Sequence, residues 1–383
     1  MKISLIFYIL RFYKEKIFNK RYKEMRTKVY LTLQNGVVFQ GYSFGAKGDA
    51  VGELVFSTGM VGYIETLTDP SNYGQIIVQT FPLIGNYGMV NADVESDRAW
   101  ASAYVVREIC DQPSNFRTEG TLEAYLIEQG VVGICGVDTR QLTKILREEG
   151  TMNARISTKP LKEEEIKALA CYKIENAVQA VAPKAQTVYG VDNAKYTVVV
   201  WNFGSRMNTI KNFVQKDCKV ISVPANATAE EILSYNPDGV VLGDGPGDPA
   251  ENVAIIQEVK KLLGKKPIYG VGLGHQLVAL ALGAETQKQK YGHRGSNQPV
   301  KCTKCGKVYI SAQNHGYEVV TSSIKEGEVK FVNVNDNSCE GIDYNALNAF
   351  TTQFIPECCG IGYVENPLYN KFFAMMDKEK ENA

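Results

Sequence analysis

After Lys195 the chain alternates short apolar runs with helical stretches, and this alternation limits what it can fold into more than any other feature. Residues 197–201, 218–223, 238–242 and 267–271 are strand-like runs, rich in Val, Ile and Leu. Between them, 207–214, the stretch after the capping box Thr228-Ala229-Glu230-Glu231, and 251–263 read as helices, the second stopping before Pro237. Near-continuous apolar strands separated by helices form a parallel sheet covered on both faces. Such sheets bind ligands beyond the carboxyl ends of their strands. Two Gly-rich segments fall at those ends: the loop 243–249, Gly-Asp-Gly-Pro-Gly-Asp-Pro, and the turn Gly270-Val271-Gly272-Leu273-Gly274.

The second segment has the pattern of a nucleophile elbow, in which a strand feeds a sharp turn and then a helix, here expected over 276–282. The reactive side chain of an elbow stands at its tip. In this chain the tip is Gly272, which carries only hydrogen.

A chain of 383 residues is long enough for about two domains, each with its own core. Lys plus Arg and Asp plus Glu number 42 each, so no basic field points to nucleic acid and no acidic excess points to a disordered tail. Nine cysteines at uneven spacing fit reduced thiols in a cytoplasmic protein better than a disulfide framework. Residues 1–24 read as an N-terminal extension from an upstream start codon: the apolar stretch is too short to span a bilayer and lacks a small-residue cleavage site. A basic amphipathic segment lying on a membrane surface is the weaker alternative, and no membrane partner is expected. Residues 25–159 mix short β-rich runs, such as 29–33 before the turn Gln34-Asn35-Gly36, with helices, among them 138–148 behind an Asp cap, and read as one α+β domain. A connector over 160–194, an α/β domain over 195–377 and a tail over 378–383 complete the expected organisation.

Several motifs now agree. Gly245-Pro246-Gly247-Asp248-Pro249, Leu273-Gly274-His275-Gln276, Gln313-Asn314-His315-Gly316 and Gln353-x-x-Pro356-Glu357 stand in the order of a class I, triad-type glutamine amidotransferase domain. Val51-Gly52-Glu53-Leu54-Val55-Phe56 and Thr68-Asp69-Pro70-Ser71 resemble the small subunit of carbamoyl-phosphate synthase. The resemblance runs from Met25 to about Asp377 and implies a small-subunit N-terminal domain followed by a doubly wound amidotransferase domain with a mostly parallel sheet. It implies glutamine hydrolysis by a Cys-His-Glu triad and passage of ammonia through a tunnel to a large ATP-dependent subunit, whose product feeds arginine or pyrimidine synthesis. ATP and Mg are expected on that partner. This chain has no Gly-x-x-x-x-Gly-Lys-[Ser/Thr] phosphate loop, and no cofactor or metal of its own is expected.

Residue by residue, the resemblance divides. Gly272 stands where the family has its nucleophilic cysteine, and Ile355 where it has its histidine; of the triad only Glu357 remains. The positions that the family uses to bind L-glutamine are kept: Ser71, Gly245, Gly247, Leu273, Gln276, Asn314, Gly316 and Tyr317. Loss of a triad nucleophile or its base costs on the order of a millionfold in turnover, roughly 8 kcal/mol, and a second loss adds little. The expected protein is therefore a small subunit silent as a glutaminase that supports carbamoyl phosphate synthesis from free ammonia. The alternative is a non-enzymatic glutamine-binding or regulatory module.

Substitute chemistry has little support in the sequence. Cys358 and Cys359 follow Glu357, but a thiol there lacks the elbow's orientation, its backbone donors and a base. Thr351 and Thr352 are expected to have no base to activate them. Cys302-x-x-Cys305 reads as two free thiols at a hairpin turn rather than half a zinc site completed by Cys358 and Cys359. Asp244 replaces the family's usual asparagine, and a carboxylate there either changes ligand preference or caps the following turn. The stretch 360–366 lacks the Pro-rich character usual in the family, so this edge of the site is expected to be remodelled.

Overall fold

A computed structural model describes residues 26–358 and 366–382. The extension 1–24, Cys359 and most of the expected remodelled loop, 360–365, lie outside the described residues.

The N-terminal domain closes on itself. Strands β1 (Lys28–Leu33) and β2 (Val38–Gly45) form a hairpin at Asn35-Gly36, where the Leu33 amide donates to the Val37 carbonyl at 2.9 Å. They are followed by β3 (Ala50–Ser57), β4 (Gln75–Gln79), β5 (Leu83–Ile84), β6 (Ala103–Val105), β7 (Glu108–Ile109), β8 (Val132–Cys135) and β9 (Met152–Ser157). Seven of these make a barrel in the order β1-β2-β8-β6-β4-β3-β9, which removes free sheet edges, while β5 pairs with β7. Alternation along the strands divides their side chains between two cores. Leu54, Ile76, Val78 and Val105 pack with Leu142 and Leu146 of the helix Thr139–Glu149, which Asp138 caps as expected by accepting from the Gln141 amide at 3.0 Å. Val55, Ile77 and Tyr104 pack with Leu122 and Leu126 of the helix Leu122–Glu128.

The second domain is built on β10 (Thr187–Tyr189), β11 (Tyr196–Trp201), β12 (Cys218–Val223), β13 (Gly239–Leu242), β14 (Ile268–Val271), β15 (Thr286–Cys302), β16 (Val308–Val319), β17 (Glu328–Asn333), β18 (Cys339–Tyr344) and β19 (Ala349–Thr352). They join in the order β10-β12-β11-β13-β14-β19-β18-β17-β15-β16. The strands expected from the alternation, with β19 added, are parallel, and β18, β17, β15 and β16 extend the sheet antiparallel. On one face Val199, Val240 and Leu242 meet the helices Ala229–Ser234, Val253–Leu262 and Leu273–Ala281; on the other, Val198, Val200 and Val241 meet Met207–Gln215 and the C-terminal helix Pro367–Asn382. This is the doubly wound arrangement implied by the sequence. β10 falls within the expected connector and pairs antiparallel with β12. Among the described residues no helix is long and apolar enough to cross a membrane.

A buried ion pair holds the two domains together. Glu95 of the first domain is 2% exposed and accepts from Arg206 Nη2 at 2.9 Å. Its second oxygen accepts the Asn208 backbone amide at 3.1 Å, and the Met207 amide donates to the Glu95 carbonyl at 2.8 Å. One acidic residue thus satisfies free amides at the start of helix Met207–Gln215, where a carboxylate is also favoured by the helix dipole. Glu95→Ala would strip Arg206 of its hydrogen-bonded carboxylate, leaving Asp69 3.8 Å from its Nε. Removing one partner of a buried pair costs about 3–5 kcal/mol. The urea midpoint of the variant, followed by far-UV circular dichroism, should fall accordingly.

Candidate functional site

The turn between β14 and helix Leu273–Ala281 has elbow geometry, with Gly272 at φ 55° and ψ −110°. The helix starts three residues before the expected 276, because the turn occupies a single residue. A side-chain-bearing residue in that conformation stores strain that glycine does not. Close packing fixes the turn: the Gly272 amide donates to the Thr352 carbonyl at 2.9 Å, and a Cβ on Gly274 would lie 2.2 Å from the Leu242 carbonyl oxygen.

The space in front of Gly272 is occupied. A Cβ built there would lie 2.1 Å from Oδ1 of Asp244 and 2.9 Å from its Oδ2. Asp244 Oδ1 accepts from the Gly245 amide at 2.8 Å and the Leu273 amide at 3.1 Å. Oδ2 has no hydrogen-bond partner among the described residues. The carboxylate therefore stands in the volume a nucleophile side chain would fill. It also takes two backbone amides that flank that position, which is where an acyl-transfer site stabilises the developing oxyanion. Of the two roles open to Asp244 in the sequence, the structure shows the cap directly.

All eight residues expected to bind glutamine line one cavity of about 400 Å³, together with Asp244, Lys288, Arg294 and Gln353. Both domains contribute to the wall: Asn314 Nδ2 donates to Ser71 Oγ at 2.7 Å, and Ser71 Oγ donates to Asp69 Oδ1 at 2.6 Å. Gln276 donates from Nε2 to the Tyr317 carbonyl and to Gln353 Oε1, each at 2.9 Å. A neighbouring cavity of about 380 Å³ shares Arg294 and Asn314 with the first and is lined further by Glu65, Asp69, Arg206 and Ile355.

Ile355, which stands where the resemblance places the base, lines that second cavity. Ile355 is buried, and its amide donates to the Ala312 carbonyl at 3.0 Å. Glu357, the remaining acid of the triad, accepts a hydrogen bond from the Tyr369 hydroxyl. Its neighbour at 355 has no imidazole to orient.

One expectation about substitutes needs correction. Thr351 does have an imidazole beside it, since its Oγ1 lies 2.8 Å from His275 Nδ1. No local pattern signals this contact, because it joins β19 to the helix after the elbow. Both residues are completely buried and neither lines the cavity, so the pair is structural. Burial alone lowers the His275 imidazole to about 3, which keeps it neutral. Cys302 is buried and Cys305 exposed at the β15–β16 turn, both as free thiols, and burial of Cys302 leaves no open pair. Cys359 and the Cys358 side chain lie outside what is described.

Among the described residues one group has metal-ligand spacing: His293, His315 and Glu340, with donor atoms within 4.8 Å of one another. Its donors are already engaged. His293 Nε2 meets Asp336 at 2.8 Å and Nδ1 meets Glu340 at 3.3 Å, while His315 meets the Tyr317 carbonyl and Gln313 Oε1 at 2.8 and 2.9 Å. Burial opposes charge on His293, but hydrogen bonds to Asp336 and Glu340 outweigh it and raise the imidazole to about 9. A protonated histidine between two carboxylates accounts for the cluster without a metal.

A two-domain chain with an elbow and a motif-lined cavity at the carboxyl ends of a doubly wound sheet has the architecture of a class I glutamine amidotransferase joined to a β-barrel domain. Family models agree: "Glutamine amidotransferase class-I" matches residues 199–375, and "Carbamoyl-phosphate synthase small chain, CPSase domain" matches residues 31–156. The carbamoyl phosphate synthase small chain of Clostridium perfringens is 46% identical over 333 residues, covering 87% of this chain and 95% of its own. That of Symbiobacterium thermophilum is 43% identical, covering 90% and 98%, and the pyrimidine-specific small chain of Bacillus subtilis is 41% identical, covering 92% and 97%. The chain belongs to the carbamoyl-phosphate synthase small chain family.

The position of Asp244 has a measurable signature. Burial raises its carboxyl to about 7, the nearby Asp69 charge adds to the rise, and the Leu273 and Gly245 amides and the Arg206 charge work against it. The folded protein thus holds a proton that the unfolded chain releases near its ordinary value of 3.8. Stability contributed by that proton is present at acid pH and is lost as the pH rises towards 7. Thermal melts should show Asp244→Asn and the parent nearly together below about pH 4, with the advantage of the variant growing through pH 5 and levelling off above about pH 7.

Proposed function

We propose that this small chain is silent as a glutaminase and supports carbamoyl phosphate synthesis from free ammonia by docking on a large, ATP-dependent synthase subunit. The observation that carries the proposal is the Asp244 carboxylate over Gly272, accepting from the Gly245 and Leu273 amides at 2.8 and 3.1 Å. Three requirements of amide hydrolysis fail together. The tip has no nucleophile, Ile355 provides no base, and an oxyanion forming at this site would meet a carboxylate already bound to its donors. Family membership supports the docking role, and the buried Glu95–Arg206 pair supports a chain that keeps its two-domain shape without its chemistry.

The purified chain, combined with its cognate large subunit, should release no glutamate from glutamine above background. The same mixture should form carbamoyl phosphate from ammonium and ATP faster than the large subunit alone. Glutamate release at a rate matched to synthesis would refute the proposal, as would ammonium-dependent synthesis indifferent to the small chain.

Restoring the triad tests the role of Asp244 separately. In Gly272→Cys with Ile355→His, the new Cβ collides with the Asp244 carboxylate, so the pair of changes alone should leave glutamate release at background. Adding Asp244→Ala removes the colliding atoms and frees the Gly245 and Leu273 amides, and glutamate release by the triple variant should exceed that of the double variant by at least about tenfold.

A further inference from the structure

The geometry points to a changed ligand for the cavity: an amino acid of glutamine's length that ends in an ammonium group in place of the carboxamide. The inference deepens the proposed function by naming what the silent site binds, and it rests on reading the cavity as an amino-acid pocket.

Ser71, Gln276, Asn314 and Tyr317 line the cavity, and its volume of about 400 Å³ accommodates an amino acid far better than a lone cation. At the elbow end the chemistry is inverted. The carbonyl oxygen of a glutamine side chain needs donors, but the Gly245 and Leu273 amides are taken by Asp244 Oδ1. A carbonyl placed there faces a carboxylate and loses its own hydration without compensation. Above about pH 7, where the Asp244 carboxyl is ionised, its unpartnered Oδ2 is instead an acceptor, and a cation bound there favours the ionised form against burial and the nearby Asp69 charge. A terminal ammonium supplies only donors and forms a charge-assisted hydrogen bond to such an oxygen. The Asp244 carboxylate thus sets the elbow end of the cavity to select a cation over an amide.

Isothermal titration of the full chain at about pH 8, where Asp244 is ionised, with L-glutamine, L-ornithine, L-norvaline and ammonium chloride decides the matter. Ornithine carries an ammonium where glutamine carries its amide nitrogen, and norvaline has the same carbon chain with no polar end. Ornithine should bind about tenfold more tightly than either glutamine or norvaline, and ammonium chloride at the same concentrations should give no comparable heat. In Asp244→Asn the preference should pass to glutamine. The inference is overturned if glutamine or norvaline binds the parent as well as ornithine does, if ammonium alone matches ornithine, if no amino acid binds, or if a folded Asp244→Asn keeps the preference for ornithine. The comparison on the parent protein needs no variant to fold. Each of these failures leaves the reading of a silent small chain to be judged on ammonium-dependent synthesis, which is measured independently.

Discussion

Everything that can be called a site in this molecule depends on how its two domains meet, and a buried carboxylate decides that. Glu95 comes from a loop of the barrel domain, yet it closes the start of a helix in the other domain and neutralises Arg206 at 2.9 Å. Two units joined only by apolar contact can slide, whereas directional hydrogen bonds to a helix start admit one arrangement. That arrangement sets Ser71 of the first domain against Asn314 of the second, and their hydrogen bond is part of the cavity wall. The pocket is thus a property of the interface, since residues of both domains line it.

Within that frame, Asp244 compensates locally for the bare tip of the elbow. An elbow tip without a side chain leaves a void and two unpaired amides, both unfavourable in a folded protein. Asp244 removes both defects, filling the space and accepting both amides, one of them at the start of a nine-residue helix. The repair has an electrostatic cost, because the carboxylate is held away from water and near Asp69. Gly272 contributes by adopting its positive φ without strain.

Much of the fold was legible in the sequence where apolar periodicity and motifs coincide. Strands β11 to β14 and the capped helices stand within a few residues of expectation, since a strand buried on both faces leaves a continuous apolar run. The polar strands β15 and β16 were foreseen only at their turn around Cys302 and Cys305, because β15 reads Thr-Gln-Lys-Gln-Lys at its start and has no period to detect. Barrel closure in the first domain depends on pairing β1 with β9, far apart in sequence, which no local pattern reports. In the site, the eight cavity residues were legible because they lie in motifs. The roles of Glu95, of the Thr351–His275 contact and of the Asp244 carboxylate were not, since each depends on where one side chain turns in three dimensions.

The contact between Asp244 and Gly272 also couples the two positions. With Asp244 in place, any side chain at 272 meets a carboxylate oxygen; with Gly272 in place, replacing Asp244 by a residue that cannot accept leaves two amides bare. Asparagine escapes the second penalty, because its Oδ1 still accepts both amides. The order of substitution therefore matters as much as the sum: a side chain can return to the tip of the elbow only after residue 244 has changed or turned aside.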